Sequence, residues 1–493
     1  MNMAGPYYLG LDVGTQGTKG VVTDAQGCAI VARASFSYDL IEGLPAGAAE
    51  QHPHTWWEAV QHVVRDLCQQ GGFDPERVAG VGVSGQQHGF VALDGKDNVI
   101  RPAKLWCDTT CAGEAEELSR ELGRTIPPGF TAPKILWMQR HEPELFARLD
   151  TVLLPHDYIN FLLSGEKTME PGDASGTGLF DVAERCFDAR ALATIGASLA
   201  DEIPPLIEPG APAGALQRSA ADALGLPAGI TVASGGGDNM MSAIGAGATR
   251  TGVGVLSLGT SATIFAYADK PIIDPEGAIA GFCDSTGGWL PLLCIMNATG
   301  VLEELASSYR GLHDLDSLTR LASEVPLGCD GLLFLPYLQG ERVPNLPNAK
   351  GRLIDVTPGT LAPGHLFRAA LEGVTLNLAW GFERLRGLGL DLKSLRVVGG
   401  GSKNEFWVRM LSDAIGVPVQ RLAEPEAAAL GGALQAQWTC TGQTDPEASI
   451  DLIAADYVQF EGAAVTPDAG AKREYDRLLE RFRGETERCF GPL

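Results

Sequence analysis

Gly10-Leu11-Asp12-Val13-Gly14-Thr15, near the start of the chain, and Leu256-Ser257-Leu258-Gly259-Thr260-Ser261, in its second half, carry the same message. Each sets a Gly-Thr turn at the end of an apolar strand. Such a turn is expected to present bare backbone N–H groups and a hydroxyl to a phosphate, which is the physics of an anion nest. Two of them imply two similar half-molecules gripping one nucleotide.

Outward from the first turn, Tyr7 to Ala34 reads as a meander: strand Tyr7 to Val13, strand Gly17 to Thr23, the turn Asp24-Ala25-Gln26-Gly27, and strand Cys28 to Ala34. The spacing of Trp57, Val60, Val63, Val64 and Leu67 predicts a helix over His54 to Cys68. Val78 to Val83 is then a buried strand, ending in the polar loop Ser84-Gly85-Gln86-Gln87-His88-Gly89. Around the second turn the order recurs: strands Val253 to Leu258 and Ala262 to Ala268, a helix over Leu366 to Leu385, strand Leu395 to Val398, and a helix over Asn404 to Ile415. A meander followed by strand-helix alternation, occurring twice, predicts an α/β architecture with duplicated topology. The boundary is expected near residue 245, which makes lobes of 1–245 and 246–493. Asp468 to Leu493 reads as an amphipathic helix with Tyr475, Leu478, Leu479 and Phe482 on one face.

The bulk numbers exclude several classes. The chain has 493 residues, 45% of them hydrophobic, with 62 Gly and 30 Pro, so it has ample material for sizeable cores in a turn-rich globule. A net charge of −24 would repel a polyphosphate backbone, so nucleic acid is not an expected partner. No apolar run approaches the roughly 18 residues needed to span a bilayer, and no basic leader precedes Tyr7, so the expected setting is soluble. Of ten scattered cysteines only Cys107 and Cys111 lie close together; free thiols in a reducing cytoplasm are a simpler reading than a zinc site.

Asp12 interrupts an apolar strand directly before its turn, where β structure disfavours it. It is either a turn cap or a carboxylate that positions magnesium beside nucleotide phosphates. Ser234-Gly235-Gly236-Gly237-Asp238-Asn239 follows another apolar strand and presents Asp238 at its end. Asp238 can cap the following helix, and a carboxylate there can also take the proton of a hydroxyl that attacks phosphorus. Gly399-Gly400-Gly401-Ser402-Lys403-Asn404 lies between a strand and a helix, where N–H groups face a ligand. No Walker A order occurs in the chain, so a nucleotide site here is built without a P-loop. Gln86, Gln87 and His88 with Trp106 and Asp108 offer the donors, acceptors and flat apolar face of polyol recognition, although a lone loop histidine is as readily a solvated one.

With these residues in view, the chain resembles the FGGY group of carbohydrate kinases, which share a fold with actin, hexokinase and the heat-shock ATPases. The likeness runs from Tyr8 to about Phe482. The run from Gly129 to His141 fits the family's first signature throughout. Lys350 to Val356, leading to His365 through Glu372, represents the second, with Asp355 where the family usually has glycine. Gly85-Gln86-Gln87-His88-Gly89 looks like the substrate loop of the xylulokinase branch. Leu105-Trp106-Cys107-Asp108 is similar to that branch's Trp-Asn-Asp but carries Cys107 in the middle, and the stretch before Pro128 is shorter.

The resemblance implies two ribonuclease H-like lobes of the actin/hexokinase type with an ATP cleft between them, magnesium as the metal, and a possible homodimer. By position it implies Asp238 as proton acceptor and Asp12 as the second essential carboxylate, the one beside the metal. Gln87, His88, Trp106, Asp108 and Asn239 would contact the sugar. Gly14, Thr15, Gly259 and Thr260 would hold the phosphates, and Gly400, Gly401 and Asn404 would line the adenosine pocket. The implied reaction is ATP-dependent phosphorylation of D-xylulose to D-xylulose 5-phosphate. The alternatives are another ketopentose, a pentitol or a gluconate-like acid as acceptor, or a non-catalytic sugar or nucleotide sensor on the same fold.

Overall fold

The computed structural model describes residues 5–492. Strand Tyr7–Val13 is the axis of the first of two seven-stranded sheets: it pairs antiparallel with Gly17–Asp24 and parallel with Val78–Gly85. Ala29–Ser37 extends one side; Thr231–Ala233, parallel, and Pro212–Ala215, antiparallel, extend the other. In the second sheet Val253–Leu258 holds the same place, antiparallel to Ala262–Ala266 and parallel to Ser394–Val398, with Val419–Leu422 and Phe460–Val465 beyond. Order and polarity match from the meander outward. The outermost antiparallel strand comes before its neighbour in the first sheet and after it in the second, and the seventh strand differs too, Gly236–Gly237 beside Val78–Gly85 in one and Ile279–Ala280 at the meander's edge in the other.

The expected elements are present with shifted ends. The first helix runs over Pro53–Gln70, the long second-half helix over Pro363–Gly387, and Asn404 caps the Glu405–Ile415 helix by accepting from Trp407 N. The third strand starts at Ala29 because Cys28 sits at φ 47° and closes the turn before it. Asp355 adopts φ 57°, so it keeps the left-handed turn that glycine would favour, and its carboxylate pairs with Arg481 at 2.6 Å. Helix Ala469–Phe490 buries Tyr475, Leu478, Leu479 and Phe482 against the second core.

Period-two alternation decides what each face of the first sheet does. Tyr7, Leu9, Leu11 and Val13 pack with Val81, Val83 and the Pro53–Gln70 helix. Tyr8, Gly10 and Asp12 face the other way, and the register sets Gly10 beside Gly82 and Asp12 beside Ser84. On that face lies helix Ala427–Gly442, which follows the second sheet's Val419–Leu422 strand. A Cβ on Gly10 would stand 1.9 Å from Ala429 O, and one on Gly82 2.0 Å from Gly432 O. The same helix meets Asp238–Gly245, where a Cβ on Gly245 would stand 1.8 Å from Ala427 O and one on Gly431 1.9 Å from Met241 O. Backbone lies on backbone here.

This packing makes a sign-reversing prediction. Gly82→Ala must displace a carbonyl rather than a side chain and is expected to lower stability by about 1–3 kcal/mol or more. Gly113→Ala, in the Ala112–Leu122 helix with nothing within 4 Å of the new methyl, is expected to raise it by about 0.5–1 kcal/mol. Denaturant unfolding of both variants measures the difference, and equal midpoints would contradict the backbone contact.

Candidate active site

Asp12 lies two residues past Gly10 on the same sheet face, toward the start of the packed helix, where it feels the charge of Glu426. Ser84 Oγ donates to its Oδ1 at 2.7 Å. Burial raises the Asp12 carboxyl above the usual range, and the Ser84 bond and the Lys19 charge only partly counter this. Asp238 opens the Asp238–Gly245 helix, but Gly237 occupies the cap position and the Asp238 side chain does not cap. Its Oδ1 accepts instead from Asn239 Nδ2 at 2.9 Å, and the same amide reaches Gln87 Oε1 at 2.9 Å. Asp238 is raised to about 8, first by burial and then by the negative charges of Asp12 and Asp173. A carboxyl titrating there is matched to proton transfer near neutral pH.

The loop Ser84 to Gly89, the expected sugar loop, is held from behind. His88 stands at φ 64°, in the left-handed region, a strained conformation for a residue with a side chain. Its carbonyl accepts from the buried Lys134 Nζ at 2.6 Å and from Thr131 Oγ1 at 3.2 Å, and Lys134 also donates to Gly129 O at 2.5 Å. Burial lowers Lys134 to about 7. The His88 ring packs on Phe130 at 4.7 Å and Phe282 at 5.8 Å, and burial drives its pKa well down, so it faces the site neutral. Phe282 comes from the region of the second sheet. It rides on a segment whose Cys283 N–H donates to Ser175 Oγ at 3.0 Å. Lys134 lies inside the signature run yet its function as a strut is not legible there. Phe282 carries no sequence signal.

Other expected contacts are already engaged. Asp108 is fully buried and accepts from Ala49 N, Lys104 Nζ and both Thr110 donors, so it braces the loop and has no face toward a sugar. The Thr15 hydroxyl accepts from Trp106 Nε1 at 3.0 Å and donates to Gln86 Oε1 at 2.9 Å, which ties the first turn to the sugar loop. The amides of Gly14 and Gly259, read as bare, close their own turns onto Gly17 O and Ser261 O. Thr260, by contrast, is exposed. Asn404 is spent as a cap and on Thr319 Oγ1, and Gly401 is a packing glycine whose Cβ would stand 2.7 Å from Trp407, while Gly400 is open. Trp106, 37% exposed, lines a 420 Å³ cavity together with Thr260, Ser261, Asn297 and Gly300 from the second half of the chain.

Sequence models of the N-terminal and C-terminal domains of the FGGY family of carbohydrate kinases match residues 7–245 and 254–440. The chain belongs to the FGGY carbohydrate kinase family. Among relatives of this FGGY chain, a xylulose kinase of Haemophilus influenzae is 37% identical over 96% of this chain and 98% of its own. The crystal structure of a xylulose kinase from Rhodospirillum rubrum superposes with a TM-score of 0.87 at 29% identity, covering 98% and 99% of the two chains. A gluconate kinase from Lactobacillus acidophilus reaches 0.89 over 98% of each chain, at 24% identity, a likeness of fold alone. Among the described residues no helix is long and apolar enough to cross a membrane.

The raised Asp238 yields a pH test. A carboxyl whose folded pKa exceeds its unfolded value leaves the native state holding the extra proton between the two, so native stability falls as pH rises from about 4 toward about 8. Asp238→Asn removes that loss. Its melting temperature is therefore expected to climb relative to wild type from pH 4 to pH 9 in the absence of nucleotide; a constant gap across that range would exclude the shift.

Proposed function

We propose that this FGGY kinase transfers the terminal phosphoryl group of ATP to D-xylulose, giving D-xylulose 5-phosphate, with Asp238 as the proton acceptor. The observation that carries the reading is the half-buried Asp238 carboxyl, which accepts from Asn239, itself bonded to Gln87, and which feels the charge of Asp12. As the sugar O5 bonds to phosphorus, its proton passes to Asp238 and the bond to the ADP oxygen breaks. Gln87 and Asn239 orient the sugar from one side, with His88 and the Trp106 face opposite. The turn at Gly259 and Thr260 meets the phosphates, and the Gly14–Thr15 turn braces them through Gln86. Gly400 lies at the open edge proposed for adenosine. Closure of lobes divided near residue 245 would exclude water as a competing acceptor.

Magnesium fits this donor set in one manner only. Among the described residues no three His, Cys, Asp or Glu side chains cluster to hold a metal. The paired acids Asp12 and Asp238, each raised by burial, suit an ion that arrives with the phosphates, as magnesium does when it keeps one or two carboxylates. Asp12 would hold it, directly or through water. The ion would neutralise charge on the phosphates. ATP and one sugar are the proposed partners, the cytoplasm the proposed compartment, and a homodimer the assembly the family likeness suggests.

An acidic sugar is not favoured as the acceptor. Lys104 is taken by Glu50, Asp108 and Thr110, and Lys134 by two carbonyls, so neither can receive a carboxylate. Arg342, whose charge reaches His88, is the cation a gluconate-like acceptor would need. ADP release assayed with D-xylulose, D-ribulose, xylitol and D-gluconate is expected to show the highest kcat/KM for D-xylulose; a preference for gluconate would overturn the substrate assignment. Asp238→Ala should lower kcat by about 10²–10⁴ while ATP affinity holds, and normal turnover in that variant would remove Asp238 as the base.

A further inference from the structure

A buried ion cluster lies behind the sugar loop, and the chemistry above makes no use of it. His156, the second residue of the Pro155–Ser164 helix, is fully buried, with Nδ1 2.7 Å from Asp173 Oδ2 and Nε2 2.9 Å from Asp157 Oδ1. Two glycines press on it: a Cβ on Gly85 would stand 2.8 Å from its backbone nitrogen, and one on Gly235 2.8 Å from its ring. These glycines belong to the strand that enters the sugar loop and to the loop that presents Asp238. Burial by itself favours the neutral ring, but the two carboxylates outweigh it and hold the imidazolium. Asp157 is partly spent, since its Oδ2 also accepts from Leu154 N at 3.0 Å. Asp173 is therefore the partner whose charge depends most on His156.

From Asp173 the cluster leads to the reacting centre. The Gln87 amide favours the charged form of Asp173 without completing a hydrogen bond, and Gln87 Nε2 and Asp173 Oδ1 are both buried without a partner. An amide has one accepting and one donating end. Because Gln87 Oε1 accepts from Asn239, its NH₂ end is turned away from Asn239 and toward the Asp173 carboxylate. Asn239 in turn holds Asp238 Oδ1. We propose that His156 and Asp173 are positioning residues for the transfer: the buried imidazolium keeps Asp173 a carboxylate, Asp173 sets which way the Gln87 amide faces, and Gln87 steadies Asn239 against Asp238. The proposal rests on the reading of Asp238 as the base.

The test is a double-mutant cycle in sugar-dependent ADP release, with folding checked by thermal unfolding. His156→Gln is expected to lower kcat by about 10–100-fold, the scale on which outer-shell partners act elsewhere, with the ATP KM held within about twofold. Asn239→Ala cuts the same chain next to Asp238 and should cost a similar factor. Combined, the two should be no more than about threefold worse than Asn239→Ala alone, because a chain already cut has little left to lose. Losses that multiply, a folded His156→Gln with wild-type kcat, or an ATP KM that rises in step with the loss would each overturn the proposal. If His156→Gln does not fold, the pair His156→Gln/Asp173→Asn, which removes the Asp173 charge together with the imidazolium and leaves Asp157 its bond from Leu154 N, enters the cycle in its place with the same expectation and the same overturning result. Intact turnover in both Asp238→Ala and Asn239→Ala would instead remove the base assignment itself.

Discussion

A helix backbone laid directly on a sheet backbone is the constraint from which the rest of this molecule follows. Gly10 and Gly82 let the backbone of helix Ala427–Gly442 touch that of the first sheet, and Gly245 and Gly431 do the same between that helix and Asp238–Gly245. Even one methyl at these positions would sit inside a carbonyl's contact distance. The closeness fixes the distance between the strand that carries Asp12 and the helix that carries Asp238. Two acids at the ends of separate elements thus become one site, and a segment that follows the second sheet's strands sets the geometry of the first.

Bringing carboxylates together in a buried place has an electrostatic consequence. Burial raises the proton affinity of Asp12, Asp173 and Asp238, the charges of Asp12 and Asp173 raise that of Asp238 further, and His156 draws Asp173 part of the way back. The first-lobe cations that could relieve them are committed: Lys19 to Glu426, Lys104 to Asp108 and Glu50, Lys134 to carbonyls of the sugar loop. What remains is a group of acids whose proton affinity stays high. His156 is the exception, a buried cation paired with Asp173. The two Gly-Thr turns are unequal for the same reason. The first is drawn into the sugar loop through Trp106 and Gln86, while Thr260 of the second stays exposed.

The legible parts of the sequence were those in which local chemistry and periodicity agree. The meanders, the long helices and the apolar face of Ala469–Phe490 repeat at two or 3.6 residues, so burial can be read from spacing. Asp12 and Asp238 stood out because acids end apolar runs there, and the structure sets both in one neighbourhood. Side-chain availability was less legible. Asp108, Thr15 and Asn404 have the right chemistry for ligands, yet their polar atoms are occupied by Lys104 and Thr110, by Trp106 and Gln86, and by Trp407 and Thr319. Those partners lie elsewhere in sequence or around a turn, and no local pattern announces them.

The sequence by itself determined the duplicated α/β plan, the family and the presence of an acid at the end of two apolar runs, because hydrophobic period, glycine placement and acids at strand ends are local properties of the chain. Only the tertiary structure decided which polar groups face the cleft, why His88 holds a left-handed backbone, and that His156 stands behind Asp173. These depend on hydrogen bonds and backbone contacts between segments far apart along the chain. A hydroxyl or carboxylate is available to a ligand only if the fold has not already satisfied it.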